Sequence, residues 1–172
     1  MREFLNNIRT PNRKVPLRQA IFHTLLNACL GLFSGATSKL LDIYTSNLGN
    51  IFSQMSVWIF LCTVISVACS SPLRASVNVF LFCIGMLTAY YITAELTSSI
   101  YSMSFVYGWA LFSLFTPVFS FFAWYSKGNK PISKMICVGI ILVIPIAAVI
   151  FFDRIRIADI IFTVLTGIVL LK

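Results

Sequence analysis

The sequence predicts an all-α protein, a polytopic transmembrane helical bundle that crosses the bilayer six times with both termini in the cytoplasm. Three observations carry that prediction. Of the 172 residues, 59% are apolar and 10% charged, where a soluble domain has about half and about a quarter. Apolar runs long enough to cross roughly 30 Å of hydrocarbon account for most of the chain. Its 13 Lys and Arg, set against five acids, also fall unevenly between alternate loops.

The spans read in order as Ile21 to Ser38, Ile51 to Cys69, Val77 to Thr97, Phe105 to Tyr125, Ile136 to Phe152 and Ile157 to Leu171. Backbone amides in hydrocarbon must be satisfied within their own segment, and the runs are longer than the alternating strands of a membrane barrel, so each is expected to be a helix. The last run has only 15 residues, and five spans with a re-entrant segment is the alternative. Ser71-Pro72 ends the second span, Gly128-Asn129-Lys130-Pro131 makes a turn, and Asp153-Arg154-Ile155-Arg156 separates the last two spans. Pro117 and Pro145 lie inside spans and should kink them.

Residues 1–19 form a basic cytoplasmic or interfacial segment ahead of a single transmembrane domain over 20–172. Phe4, Leu5 and Ile8 can form one face of a short helix, and Pro11 and Pro16 flank the basic stretch that follows. The segment reads as a lipid-contacting anchor, with a partner-binding arm as the alternative. Ala36-Thr37-Ser38 offers small residues for signal cleavage, but the apolar run before it is long and contains Asn27, so the run is read as a retained span.

Orientation follows from the loop charges. With a cytoplasmic N-terminus the inner side holds Arg2, Arg9, Arg13, Lys14, Arg18, Arg74, Lys127, Lys130, Lys134 and Lys172, and the outer side holds Lys39, Arg154 and Arg156. Most of the +8 net charge is then a topology signal facing lipid headgroups. Nucleic acid is not an expected partner, because the aromatic interleaving of a solvated basic groove is missing.

The inventory argues against catalysis. No cysteine pair has C-x-x-C spacing, so Cys29, Cys62, Cys69, Cys83 and Cys137 read as buried thiols, with no metal or cofactor implied. His23 is the only histidine. Six residues of helix separate it from Cys29 by about 600°, which puts the two on different faces. The catalytic set is therefore empty and the protein is read as a non-enzyme.

The polar residues point instead to binding. Asp42, Glu95, Asp153 and Asp159 all fall near the outer ends of spans with Lys39, Arg154 and Arg156. Glu95 lies within an apolar run, where a charge is costly unless paired or wetted. Tyr91 is one turn before it on the same face, and Lys39 and Asp42 are spaced to pair at i, i+3. If 153–159 is helical, Arg156 aligns with both Asp153 and Asp159, and a salt-bridge ladder competes with ligand binding for those charges. Tyr44, Trp58, Tyr90, Tyr101, Tyr107 and Trp109 surround this level as an aromatic belt. The whole suggests an outward-facing cavity lined by several helices, with Glu95, Tyr91, Lys39, Asp42, Arg156 and Asp159 as ligand contacts. On the first span Gly31-x-x-x-Gly35, extended by Ala28 and Ser38, makes a small-residue face. That face either packs within the bundle or meets a partner subunit.

This architecture resembles the substrate-binding S-components of energy-coupling-factor transporters, six-span proteins of similar size with cytoplasmic termini and a site near the outer face. The resemblance implies that Ala28, Gly31 and Gly35 face a partner membrane subunit. The stretch 71–80, SPLRASVNVF, followed by Tyr90-Tyr91, is similar to small membrane proteins of Gram-positive bacteria, which implies a bacterial cell membrane and no particular activity. The expected function is a solute-binding or transport subunit that captures a small polar or aromatic molecule from outside, with a partner energising module. The competing expectation is a non-catalytic assembly, immunity or regulatory subunit acting through helix contacts.

Overall fold

A computed structural model describes residues 5, 7–11, 15–52 and 54–172. The chain is all-α. Its helices are α1 (Leu17–Tyr44), α2 (Ser46–Phe52), α3 (Met55–Ala68), α4 (Pro72–Leu96), α5 (Met103–Tyr125), α6 (Pro131–Phe152) and α7 (Ile157–Leu171). Four of these, α1, α4, α5 and α6, are long and apolar enough to cross a membrane. The apolar helices α3 and α7 have 14 and 15 residues, about 21 and 22 Å of rise.

The distribution of side chains inverts that of a soluble protein. Exposed residues include Phe22, Leu25 and Phe33 on α1, Leu114 and Phe119 on α5, Val138 and Leu142 on α6, and Ile160, Val164 and Ile168 on α7. Buried positions are rich in small hydroxyls, among them Thr63, Ser66, Ser113, Thr116 and Thr166. Several of these close on the preceding turn: Thr63 Oγ1 donates to the Ile59 carbonyl at 2.8 Å, Ser66 Oγ to Cys62 at 2.6 Å and Thr166 Oγ1 to Phe162 at 2.7 Å. An apolar exterior over buried hydroxyls, several of them satisfied within their own helix, suits hydrocarbon as the solvent.

Prolines set helix starts as well as kinks. Pro72 and Pro131 each occupy the first position of a helix, where the missing N–H costs nothing. The third and fifth expected spans therefore begin earlier than apolarity alone indicated, and Ser71 Oγ caps α4 by accepting from Arg74 N at 3.4 Å. Within α5, Pro117 cannot donate to the Ser113 carbonyl four residues back. Thr116 Oγ1 donates to that same carbonyl at 2.7 Å, so the ladder is mended by the neighbouring side chain.

The chain divides into two compact units. The first comprises Met1–Lys14, Gln54–Ala75 and Phe119–Lys172, with α3, α6 and α7 packed on one another. Its core at one end gathers Ile8, Ala75, Trp124 and Tyr125, with Leu5, Cys69, Phe121 and Ile136 against them. Leu5 and Ile8 were expected on a lipid-facing helix surface; Ile8 is instead only 7% exposed, and Phe4 lies outside the described residues. Arg9 completes the anchorage. Its guanidinium stacks over the Trp124 ring at 4.1 Å and donates to the carbonyls of Trp124 at 2.5 Å and Val67 at 3.3 Å. Those carbonyls belong to the last turns of α5 and α3, where unsatisfied oxygens and the helix dipole attract a cation. Trp124 Nε1 donates in turn to the Cys69 carbonyl just beyond α3, at 2.7 Å. Burial pushes the Arg9 guanidinium below its ordinary pKa while Cys69 raises it.

The second unit comprises Val15–Ser53 and Ser76–Val118. Its organising contact is a seam between α1 and α4. Thr24 Oγ1 donates to Asn78 Oδ1 at 2.8 Å, and a methyl placed on Gly31 or Gly35 would collide with the carbonyl of Phe82 or Met86. Both sets of numbers ascend together, so α1 and α4 run parallel. Of the two uses expected for the small-residue face, packing within the chain is the one observed: α4 occupies Gly31 and Gly35, and the Ala28 carbonyl lies against Gly85. The short α2 folds back along the end of α1, with Gly49 on the backbone of Leu41 and Asp42 and the Phe52 carbonyl accepting from Ser38 Oγ at 3.4 Å.

Candidate functional site

Two polar clusters in the second unit contain four of the six expected ligand residues. The first begins with Lys39. Its side chain is 3% exposed, and α1 continues through it to Tyr44 where the sequence suggested an end at Ser38. The charge can remain in the helix because Asp42, one turn on, accepts from Lys39 Nζ at 3.1 Å. From α4, Tyr90 donates its hydroxyl to the same Asp42 oxygen at 3.3 Å and offers its ring to Lys39 Nζ, 5.2 Å from the centroid. Ammonium, carboxylate and phenol satisfy one another and pin α1 to α4, next to the two glycine contacts. Lys39 is the buried member and Asp42 lies at the surface, so losing the carboxylate strands a buried ammonium.

The second cluster closes α4. Thr97 ends the helix and Ser98 takes the left-handed conformation at φ 49°. Ser98 N then donates to the Glu95 carbonyl at 3.1 Å and Ser99 N to the Ala94 carbonyl at 3.0 Å, the paired bonds of a Schellman motif. This turn brings Tyr101 back over the helix end. The Tyr101 hydroxyl donates to Glu95 Oε1, and its ring lies 5.2 Å from that of Tyr91. The hydrogen bond to the carboxylate raises the Tyr101 phenol above its ordinary pKa, with desolvation and the Glu95 charge adding to it. Glu95 itself is exposed, and among the described residues its side chain has Tyr101 as hydrogen-bond partner and no cation. It sits at one end of a shallow depression of about 480 Å³ lined by Leu87, Thr88, Tyr91, Ile92, Glu95 and Leu96. All six belong to α4, so this depression is a groove along one helix, unlike the expected cavity lined by several.

Arg156 and Asp159 belong to the first unit. Asp153 ends α6 in the left-handed conformation, φ 55° and ψ 16°, with its N–H on the Val149 carbonyl at 2.9 Å. Residues 153–156 are therefore not helical, and the expected ladder from Asp153 through Arg156 to Asp159 has no continuous helix to carry it. Asp159 instead caps α7: its Oδ2 accepts from the Arg156 backbone N–H at 2.9 Å, and the residue is 3% exposed. The Arg156 guanidinium lies 5.3 Å from the Phe152 ring centroid.

Three members of the expected aromatic belt are placed otherwise. Tyr90 and Tyr101 hold the carboxylates of Asp42 and Glu95, a role to which sequence offers only their position near the same span ends. Trp58 is 2% exposed and faces the interior of the first unit. Among the described residues no group of His, Cys, Asp and Glu is arranged to hold a metal ion. No protein-family model, curated protein or solved structure matches the chain.

Proposed function

We propose that the protein is an integral membrane subunit that captures a small molecule at the Glu95 end of α4, on the outer side of a cell membrane, and delivers it with the help of a partner energising module. The observation that carries this reading is the Glu95 carboxylate: exposed, positioned by Tyr101, flanked by the Tyr91 ring and without a cation among the described residues. A carboxylate kept at the end of an apolar helix is retained at a cost that a ligand or ion would offset.

In this reading the chain crosses six times with both termini cytoplasmic. The parallel run of α1 and α4 supports a return crossing between them, which only α2 and α3 can provide. The bias of Lys and Arg toward the loops on the N-terminal side supports the orientation. Lys39 and Asp42 then act at the same level as the link that holds α1 to the binding helix.

The test compares wild type with Glu95→Gln, each purified in a neutral detergent and extracted for small molecules by mass spectrometry. Wild type should carry a compound that Glu95→Gln lacks, and identical extracts would refute the reading. A second reading, a non-catalytic assembly, immunity or regulatory subunit, draws on the Lys39–Asp42–Tyr90 cluster and the Asp159 cap, where expected ligand groups are satisfied within the protein. It is favoured if a stable protein partner co-purifies without any bound compound.

A further inference from the structure

We propose that the groove on α4 takes a membrane lipid whose headgroup ends in a primary ammonium, with the ammonium on Glu95 and an acyl chain along the helix. This inference rests on the reading of Glu95 as a ligand-binding group and names the class of ligand. Three features of the groove select that chemistry.

The first is charge. Glu95 Oε1 accepts from the Tyr101 hydroxyl, and the carboxylate meets no cation among the described residues. A neutral phenol donating to it fixes its orientation without supplying a countercharge, so a cation is the partner the cluster lacks among the described residues. The second is the aromatic pair. Tyr91 and Tyr101 have ring centroids 5.2 Å apart at 57°, one ring in the groove wall and the other at the carboxylate, and ring faces beside a carboxylate attract ammonium groups. A headgroup without an ammonium gains nothing from either feature.

The third is what lies below. From Glu95 the groove runs back along α4 over Ile92, Thr88 and Leu87, with Leu96 at its other edge. From Leu87 to Leu96 the helix rises about 14 Å, a length matched by an extended chain of roughly ten methylenes. Leu96 is 81% exposed and Ile92 53%, so the wall is open sideways on a helix long enough to cross a membrane. A water-soluble amine would leave this apolar surface uncovered, whereas a lipid fills it and places its headgroup at the helix end, where Ser98 and Ser99 turn the chain away.

The experiment uses the full chain in nanodiscs of phosphatidylglycerol doped with either phosphatidylethanolamine or N-acetyl-phosphatidylethanolamine, which keeps the tails and phosphate but lacks the ammonium. Lipid retained after transfer to a neutral detergent is read by native mass spectrometry. Phosphatidylethanolamine should be retained at one copy per chain, about tenfold over both the N-acetyl lipid and phosphatidylglycerol, the factor expected of one exposed ion pair with an aromatic face. Glu95→Gln should erase the preference, while Lys130→Gln, at an exposed loop position, should leave it intact. Equal retention of the three lipids by wild type overturns the proposal. If wild type nonetheless carries a different compound that Glu95→Gln loses, the site is real and the ligand class is wrong; if a soluble amine such as ethylammonium displaces the lipid at equal concentration, the lipid source is wrong. If Glu95→Gln changes no bound species at all, both readings fall.

Discussion

Arg9 offers the sharpest test of how the first unit is held together. Replacing it by alanine removes two charge-assisted hydrogen bonds to helix-terminal carbonyls, at 2.5 and 3.3 Å, and a stacked contact at 4.1 Å from the Trp124 centroid. A well-formed hydrogen bond from a charged donor contributes about 1.5–3 kcal/mol, the longer one less, and the aromatic contact about 0.5–2 kcal/mol. Truncation should then cost about 3–4 kcal/mol, with the Val67 and Trp124 carbonyls left to the few groups nearby. For a chain of this size each kcal/mol moves the midpoint by about 2–4 °C, so Arg9→Ala should unfold about 6–16 °C below wild type. Arg9→Lys keeps the charge but loses the planar fork and the stack, and should fall between them. The assay is tryptophan fluorescence during heating in a neutral detergent, with Arg18→Ala, an exposed position on α1, as the control. An Arg9→Ala midpoint within one degree of wild type, or an equal loss in Arg18→Ala, would refute the clamp.

Three further outcomes follow from the second unit. Gly35→Val forces branched carbons against the Met86 carbonyl and should cost at least about 2 kcal/mol of thermal stability, whereas Gly139→Ala, with open space around it, should be neutral in the same melt. Asp42→Ala leaves the buried Lys39 ammonium with only the Tyr90 ring and, because Asp42 itself is solvent-accessible, should destabilise by about 1–2 kcal/mol, while Lys39→Met combined with Asp42→Leu recovers most of that loss; a double variant as unstable as the single one would contradict the ion-pair account. The Tyr101 phenol donates to Glu95 and its pKa is raised, so the contact is intact below the ordinary phenol value of about 10 and is lost as pH rises through the raised folded value. Ultraviolet titration should show Glu95→Gln with one tyrosine fewer ionising late than wild type, and an unchanged titration curve would contradict the contact.

The helices were legible because hydrocarbon leaves the backbone no other option, and the apolar runs mark where that constraint applies. Their ends were less legible. Lys39 and Asp42 looked like a boundary, yet paired charges with a phenol above them remain within α1. Pro72 and Pro131 looked like breaks and are first residues of helices. The second span was read as one run from Ile51, whereas α2 ends at Phe52 and α3 starts at Met55 after Gln54.

The site was legible in its parts. The i, i+3 pairing of Lys39 with Asp42 follows from helical spacing alone and is present. The i, i+4 relation of Tyr91 to Glu95 puts both on the groove wall, but the hydroxyl that reaches the carboxylate comes from Tyr101, after a reversal that depends on Ser98 at positive φ. Serine there gives no signal as clear as glycine would. In the hairpin, Asp153 adopts a left-handed turn that spacing arguments assume away, so the charges on either side answer to helix capping. The role of Arg9 was hidden for a different reason: its partners are main-chain carbonyls, which carry no sequence label.

Capture from outside requires the Glu95 end of α4 to face the exterior, and impermeant labelling measures this directly. Ile100, 99% exposed in the loop beside Tyr101, is replaced by cysteine in a Cys29→Ala background, and Asn129 in the loop between α5 and α6 likewise. In intact cells a membrane-impermeant maleimide should label Ile100→Cys fully and Asn129→Cys only after permeabilisation. Labelling of Asn129→Cys from outside with Ile100→Cys protected would place the carboxylate on the cytoplasmic side and contradict the account.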